Sequence, residues 1–383
     1  MKIALVAGET SGDLLAGLLL DGLKAKWPLL QSFGIGGARM VERGFTAWWP
    51  SDKLAVRGYI EVLRHYREIV SIRRQLKELL LQNPPDVFIG VDAPDFNLDL
   101  ERDLKQAGIK TIQFVSPSIW AWRGERIHKI KKSVDHVLCI FPFEPALYAA
   151  HGISASYVGH PLASVIPLQP NRDVAREAFG LRGDDAVVAV LPGSRASEIQ
   201  YIGDTFAQTI KLLLHARPHI KVLLPAVPLL KSKIETQLSS KLSSKQLAQV
   251  QVLQGQSHLA LAACDVSLVA SGTATLEAAL FKRPMVIAYK MNALSWLLMR
   301  KKRYQAWIGL PNILCGDFVV PEFLQDAASP EALFRAVLAW LDDPIASVKV
   351  ADRFAALHSE LLRDTPRLAA EDVAKVISKD LHA

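Results

Sequence analysis

Short apolar runs alternate with longer segments of helical periodicity from the first residues onward. Residues 2–7, 86–91, 110–115 and 135–140 are rich in aliphatic and β-branched side chains, are bounded by turn formers, and are too short for helices. They read as buried strands. Between them lie segments such as 59–80, where apolar residues recur every third or fourth position. This alternation predicts βαβ repetition and a parallel sheet. A second series of strands, at 186–191, 220–224, 249–253, 265–270 and 284–289, follows a proline-bearing stretch from Pro161 to Pro170. From about 330 onward Leu333, Val337, Leu341, Leu357, Leu361 and Leu362 mark amphipathic helices with no further strand signal.

The fold class expected is therefore α/β, with two Rossmann-like domains and C-terminal helices crossing over them. The divisions expected are 1–165, 166–345 and a helical tail 346–383. A length of 383 residues suits two such domains, and open parallel sheets bind ligands beyond the carboxyl ends of their strands. A cleft between the domains is the expected binding region. Half of the residues are hydrophobic and 22% are charged, which excludes a disordered chain. A formal charge of +7 favours an anionic partner such as a phosphate, a nucleotide or an acidic lipid surface. Cys139, Cys264 and Cys315 have no paired spacing, so neither a zinc site nor a disulfide framework is expected. The N-terminus reads as a strand and a polar turn rather than a signal peptide, and no run approaches the ~20 apolar residues of a spanning helix. A cytoplasmic protein with at most peripheral membrane contact is expected.

Chemistry-bearing residues follow the strands. Gly8-Glu9-Thr10-Ser11-Gly12-Asp13 links the first strand to a helix; Gly8 and Gly12 allow close backbone approach, and Thr10 and Ser11 offer hydroxyls to an anion or sugar. A plain helix cap is the competing reading. Asp92 stands just past the strand 86–91, where a carboxylate can accept a proton from an attacking hydroxyl or can serve the turn alone; Asp95 suits a helix cap. Ser116 to Arg123 brings Trp120, Trp122 and Arg123 to the same edge, suiting a phosphorylated sugar, although two packing indoles fit as well.

In the second half Gly193, Ser194 and Arg195 follow a strand, and Arg195 offers a fork to a diphosphate or pairs with Glu198. Ser271, Gly272 and Thr273 open a helix toward phosphate, and Glu277 suits ribose hydroxyls or an ordinary helix face. Asn312 is a polar loop residue, a ligand contact or a simple turn.

The order of these motifs resembles the lipid-A-disaccharide synthase family over essentially the whole chain. The matching segments are 7–13, 92–97, Val-Ser-Pro-Ser-Ile-Trp-Ala-Trp-Arg at 115–123, Pro-Phe-Glu at 142–144, and Val-Gly-His-Pro-Leu at 158–162. The series continues with Pro-Gly-Ser-Arg at 192–195, Ala-Ser-Gly-Thr-Ala-Thr-Leu-Glu at 270–277 and Leu-Pro-Asn-Ile-Leu at 310–314. The resemblance implies a GT-B fold facing a central cleft. It implies condensation of UDP-2,3-diacylglucosamine with 2,3-diacylglucosamine 1-phosphate, giving a β-1,6 disaccharide 1-phosphate and UDP. Asp92 is then the catalytic carboxylate, with Arg195, Glu277 and Asn312 on the UDP side. It also implies a place on the inner face of the bacterial inner membrane and allows a homodimer with exchanged C-terminal parts.

The expected reaction is a single displacement needing no cofactor. No Asp-x-Asp signature occupies a plausible site, so Arg195 and helix N-termini are expected to stabilise the leaving diphosphate in place of a metal. His160 is the rival base. Another UDP-sugar enzyme of the same fold, such as a 2-epimerase or a cell-wall glycolipid transferase, and a non-catalytic nucleotide-binding regulator are the competing functions; a nucleic-acid binder lacks a recognition module. For an anionic membrane, the stripe Val62, Leu63, Tyr66, Ile69 and Val70 with its flanking arginines is one contact, and Trp296, Leu298 and Met299 before the basic run 300–303 are another. For both stripes a core face is the alternative.

Overall fold

The computed structural model describes residues 1–8, 10–54, 59–121, 123–270, 272–292, 296–297 and 304–378, with the backbone alone at 10 and 59–66. Two compact units divide the chain, Met1–Ser164 with Leu361–Ala383, and Val165–Glu360.

The first unit holds seven parallel strands, β1 (Lys2–Ala7), β2 (Gln31–Gly36), β3 (Thr46–Pro50), β4 (Val87–Val91), β5 (Lys110–Phe114), β6 (His136–Cys139) and β7 (Ala155–Tyr157), in the order β3-β2-β1-β4-β5-β6-β7. The second holds β8 (Val187–Leu191), β9 (Lys221–Ala226), β10 (Val250–Gln254), β11 (Val266–Ala270), β12 (Met285–Tyr289) and β13 (Glu322–Leu324), in the order β10-β9-β8-β11-β12-β13. β4, β8 and β11 are buried along their whole length, which is why β4 and β8 read as continuous apolar runs and β11 as one interrupted only by the buried Ser267. Each sheet reverses its strand order once, between β1 and β4 and between β8 and β11. Ligands of open parallel sheets collect beyond such a point, and the loops after these four strands carry most of the candidate residues.

Four strands lie outside the sequence expectation. β2 contains Gly34 and Gly36, which weaken a strand signal; they are needed because a Cβ on Gly34 would meet the Leu5 carbonyl oxygen at 2.2 Å and one on Gly36 the Met40 sulfur at 2.6 Å. β3 ends in Pro50 at the sheet edge, and β7 and β13 have three residues each, too few for a periodic signal.

Residues 346–383 do not form one tail. The helix Pro344–Leu361 belongs to the second unit up to Glu360, and the helix Thr365–Ser378 belongs to the first, where it packs on the helix Thr10–Lys26. Gly22 permits that approach, since a Cβ there would lie 1.9 Å from the Pro366 carbonyl oxygen. All three cysteines are free, Cys139 and Cys264 being buried.

Among the described residues no helix is long and apolar enough to cross a membrane. Ile69 packs against the core beneath the helix Tyr59–Gln82, the core-face alternative for that position, and Val70 is half-buried. The side chains of Val62, Leu63 and Tyr66, and residues Leu298 and Met299, lie outside the described set; Trp296 is half-buried beside an exposed Leu297.

Candidate active site

At the order reversal of the first sheet, the turn after β1 meets the turn after β4. A Cβ on Gly8 would lie 3.1 Å from that of Ala93, and one on Gly12 3.6 Å from the Val91 carbonyl oxygen, so both glycines sit against the Asp92 turn. Ser11 is exposed. Asp13 of the same motif is structural: its carboxylate accepts the backbone N–H groups of Gly37, Arg39 and Met40 at 2.8, 3.0 and 3.2 Å.

The Asp92 turn is strained. Asp92 and Ala93 both adopt left-handed backbone, with φ of +52° and +43°, a conformation that costs a non-glycine residue about 1–2 kcal/mol. Val115, past β5, has φ +73°, and Arg123 has φ +53°; a β-branched residue there is a rarer exception still. Positive φ at three non-glycine turn residues on adjacent strand ends of one sheet is a pattern associated with functional sites. Asp92 is half-buried, and its N–H donates to the Phe114 carbonyl at 2.9 Å, joining the two turns. Asp95 does not cap its helix: Ala93 is the cap residue, and the exposed Asp95 carboxylate pairs with Arg126.

Trp120 packs edge-on against Phe141 and Phe143, with ring centroids 6.0 and 5.5 Å away, and its indole N–H donates to Glu144 Oε1 at 3.0 Å. It is a packing tryptophan. Arg123 is half-buried, and Trp122 lies outside the described residues. Glu144, buried and also accepting the Phe141 N–H at 3.0 Å, was given no role by the sequence. Burial pushes its carboxyl up to about 7, against hydrogen bonds from Phe141, Trp120 and Ser116 that pull it down. Ser116 in turn shares a 2.7 Å hydrogen bond with the Tyr148 hydroxyl. His160, the rival base, is also buried. Burial lowers its imidazole to about 4, and its Nδ1 already accepts the Leu162 N–H at 3.2 Å, so it is a poor proton acceptor near neutrality.

Glu144 gives a pH signature. Between its ordinary value of 4.5 and about 7 the carboxyl is protonated when folded and ionised when unfolded, so the folded chain binds the extra proton. The stability this group contributes is complete below pH 4.5 and is lost as pH rises to 7. Glu144→Gln does not titrate. Denaturation of both proteins across pH 4–8 should therefore show the variant gaining on the parent by up to ~3 kcal/mol between pH 4.5 and 7 and level beyond it; a pH-independent difference would mean Glu144 is ionised in the folded state.

In the second unit β8 leads through Pro192 and Gly193 (φ +108°) into the helix Ala196–Ala216, capped by Arg195. Glu198 Oε2 accepts the N–H groups of Ser194 and Arg195 at 2.8 and 3.1 Å, and a Cβ on Gly193 would lie 2.3 Å from that oxygen. The Ser194 and Arg195 N–H groups are thus held by an internal carboxylate. The Arg195 guanidinium pairs with Glu198 at 3.4 Å yet keeps 59% of its side chain exposed, so the ion pair and a surface available to an anion coexist.

β11, paired with β8, ends at Ala270, and Gly272 (φ +122°) is the cap residue of the helix Thr273–Leu280. Gly272 and Thr273 are exposed at its N-terminus, and Ser271 lies outside the described residues. Glu277, half-buried one turn in, has an oxygen 3.4 Å from His258 Nε2.

Asn312 departs from expectation. It is 0% exposed; its amide donates to the Val320 carbonyl at 2.9 Å and Glu322 Oε1 at 2.8 Å, and its oxygen accepts the N–H groups of Val319 and Val320 at 2.9 and 3.0 Å. With both donors and both lone pairs engaged it has no capacity left for a nucleotide. Glu322 also accepts the N–H groups of Ile308 and Gly309, so the pair fixes the loop from 308 to 322.

The sheet edge of the first unit holds a carboxylate; that of the second holds an exposed guanidinium and an exposed helix N-terminus, groups that suit a phosphorylated ligand. Residues 3–373 match the family described as lipid-A-disaccharide synthetase. The chain belongs to that family. The lipid-A-disaccharide synthase of Albidiferax ferrireducens is 63% identical over 382 residues, covering 98% of this chain and 97% of the relative. That of Paraburkholderia phytofirmans is 50% identical, covering 99% and 97%. The chain is thus an enzyme of lipid A disaccharide synthesis, working by glycosyl transfer. Among solved structures, UDP-GlcNAc 2-epimerase from Neisseria meningitidis bound to UDP-GlcNAc superposes with a TM-score of 0.66 at 12% identity, covering 99% of this chain and all of that one. A glycosyltransferase from Rickettsia africae gives 0.58 at 11%, covering 99% and 98%. These likenesses establish the GT-B fold that the family shares with epimerases, and nothing finer.

Proposed function

We propose that the chain condenses UDP-2,3-diacylglucosamine with 2,3-diacylglucosamine 1-phosphate, releasing UDP and forming a β-1,6 disaccharide 1-phosphate with inversion at the anomeric carbon. The observation that carries this reading is the Asp92 turn: a half-buried carboxylate on left-handed backbone, directly past a central strand at an order reversal. Asp92 takes the proton of the acceptor 6-hydroxyl as that oxygen attacks the anomeric carbon, and the bond from that carbon to the diphosphate breaks. Gly8, Thr10, Ser11, Gly12, Trp122 and Arg123 serve the sugar and phosphate on the same edge.

UDP binds at the edge of the second unit. Arg195 and the helix N-terminus at Ser271, Gly272 and Thr273 meet the diphosphate, where negative charge grows as the leaving group departs. Glu277 takes the ribose hydroxyls, and Asn312 acts through the loop that it holds. The acyl chains and an anionic inner-membrane surface are met by Val62, Leu63, Tyr66 and Val70 and by the segment 296–303, on the cytoplasmic side, while Ile69 faces the core. A homodimer with exchanged C-terminal parts is compatible with this reading.

Since fixed positive groups carry the diphosphate in this scheme, UDP release from the two lipids is expected to persist in EDTA. Activity abolished by chelation and restored by magnesium would overturn that part of the mechanism.

A further inference from the structure

The carbonyl oxygen of Asp92 accepts two side-chain amides, Asn97 Nδ2 at 2.9 Å and Gln113 Nε2 at 3.0 Å. Both side chains are 0% exposed. Gln113 stands on β5 in register with Gly90 of β4, and its amide reaches the carbonyls of Phe114 and Val115 as well, each at 3.3 Å. Three carbonyl oxygens around one terminal group demand a donor, which fixes the orientation of that amide. Asn97 comes from the helix Pro94–Gln106 that covers this face, and it fits because position 90 has no side chain: a Cβ there would lie 2.9 Å from the Asn97 Cβ and 2.3 Å from Glu101 Oε1. The two amides thus converge on the strained residue itself and, through Val115, on the neighbouring strained turn.

We infer that Asn97 and Gln113 are positioning residues for Asp92, holding its backbone in the left-handed conformation that aims the carboxylate. A left-handed Asp-Ala pair relaxes toward ordinary backbone unless its surroundings over-determine it. Two buried amides on one carbonyl, with the Asp92 N–H on Phe114, supply that determination. Neither residue reaches substrate; each acts through the carboxylate two bonds from the clamped backbone. The inference rests on Asp92 being the base.

The test compares Gln113→Met and Asn97→Ala, each of which leaves one amide on Asp92, in the full-length chain and again in an Asp92→Asn background. With circular dichroism confirming the fold, each single variant should lose about 10- to 100-fold in kcat, the cost of a misplaced catalytic group. KM for the acceptor and UDP affinity should stay within twofold. In the Asp92→Asn background the same substitutions should change the residual turnover by less than about twofold, because the group they aim is already gone. Unchanged kcat in the singles, effects that multiply with Asp92→Asn, or loss of fold in both variants would each overturn the positioning role. Near-normal turnover of Asp92→Asn by itself would instead remove Asp92 as the base, so failure of the clamp and failure of the base are read separately.

Discussion

Asp92→Asn should lower turnover by roughly 10²- to 10⁴-fold, the usual worth of a positioned general base, while UDP affinity stays within about twofold. Asparagine keeps the size of the side chain. The Asp92 N–H to Phe114 and the two amides on its carbonyl are main-chain contacts of residue 92, so the substitution leaves all three in place. The carboxylate, and with it the proton acceptor, is lost. His160 does not replace it, because burial holds that imidazole near 4 and its Nδ1 is already engaged. Turnover by steady-state UDP release, beside UDP binding by calorimetry, measures both halves of this expectation. A folded variant with near-parental kcat moves the proton to another acceptor.

Asn312→Ala should damage the fold more than the ligand site. The truncation strands the N–H groups of Val319 and Val320 and removes donors from the Val320 carbonyl and Glu322, all in a region where Asn312 is fully buried. An unsatisfied buried polar group costs roughly 1–3 kcal/mol, and with several stranded together a loss of about 3 kcal/mol or more is expected. Chemical denaturation reads that loss directly. Below the transition, UDP affinity should fall only as far as the loop from 308 to 322 relaxes. A strong loss of UDP affinity without a loss of stability would return Asn312 to the role of a direct contact.

That residue also marks where sequence reasoning stops. A polar side chain after Gly-Leu-Pro looks the same whether it turns toward a ligand or toward its own backbone, and only the burial of Asn312 and its four partners decides the matter. The strands β1, β4 and β8 were legible because burial on both faces leaves nearly unbroken apolar runs, and β5 and β11 because the few polar residues inside them leave the run recognisable. β2 was hidden by the glycines that close approach to Leu5 requires. Asp92 was legible by its place after a strand, but the strain was not, since Asp only modestly favours positive φ and Ala93 does not announce it at all. Gln113 and Glu144 were missed for a related reason. One is a polar residue inside a strand and the other follows an aromatic pair, and each gains its meaning from partners remote in sequence: Asp92 for Gln113, and Ser116 with Trp120 for Glu144. Helical periodicity likewise marked the C-terminal helices and could not show that they are shared between two units.

In the proposed reaction one glycosyl group passes from a UDP sugar to a lipid acceptor with inversion at a site using Asp92. The most direct measurement is analysis of the purified enzyme's product from UDP-2,3-diacylglucosamine and 2,3-diacylglucosamine 1-phosphate, by mass spectrometry and the anomeric proton coupling. The account predicts a disaccharide 1-phosphate with a β-1,6 linkage, formed in equal amount with UDP and nearly absent with Asp92→Asn. UDP release that does not depend on the acceptor, an epimerised sugar, or an α linkage would contradict it.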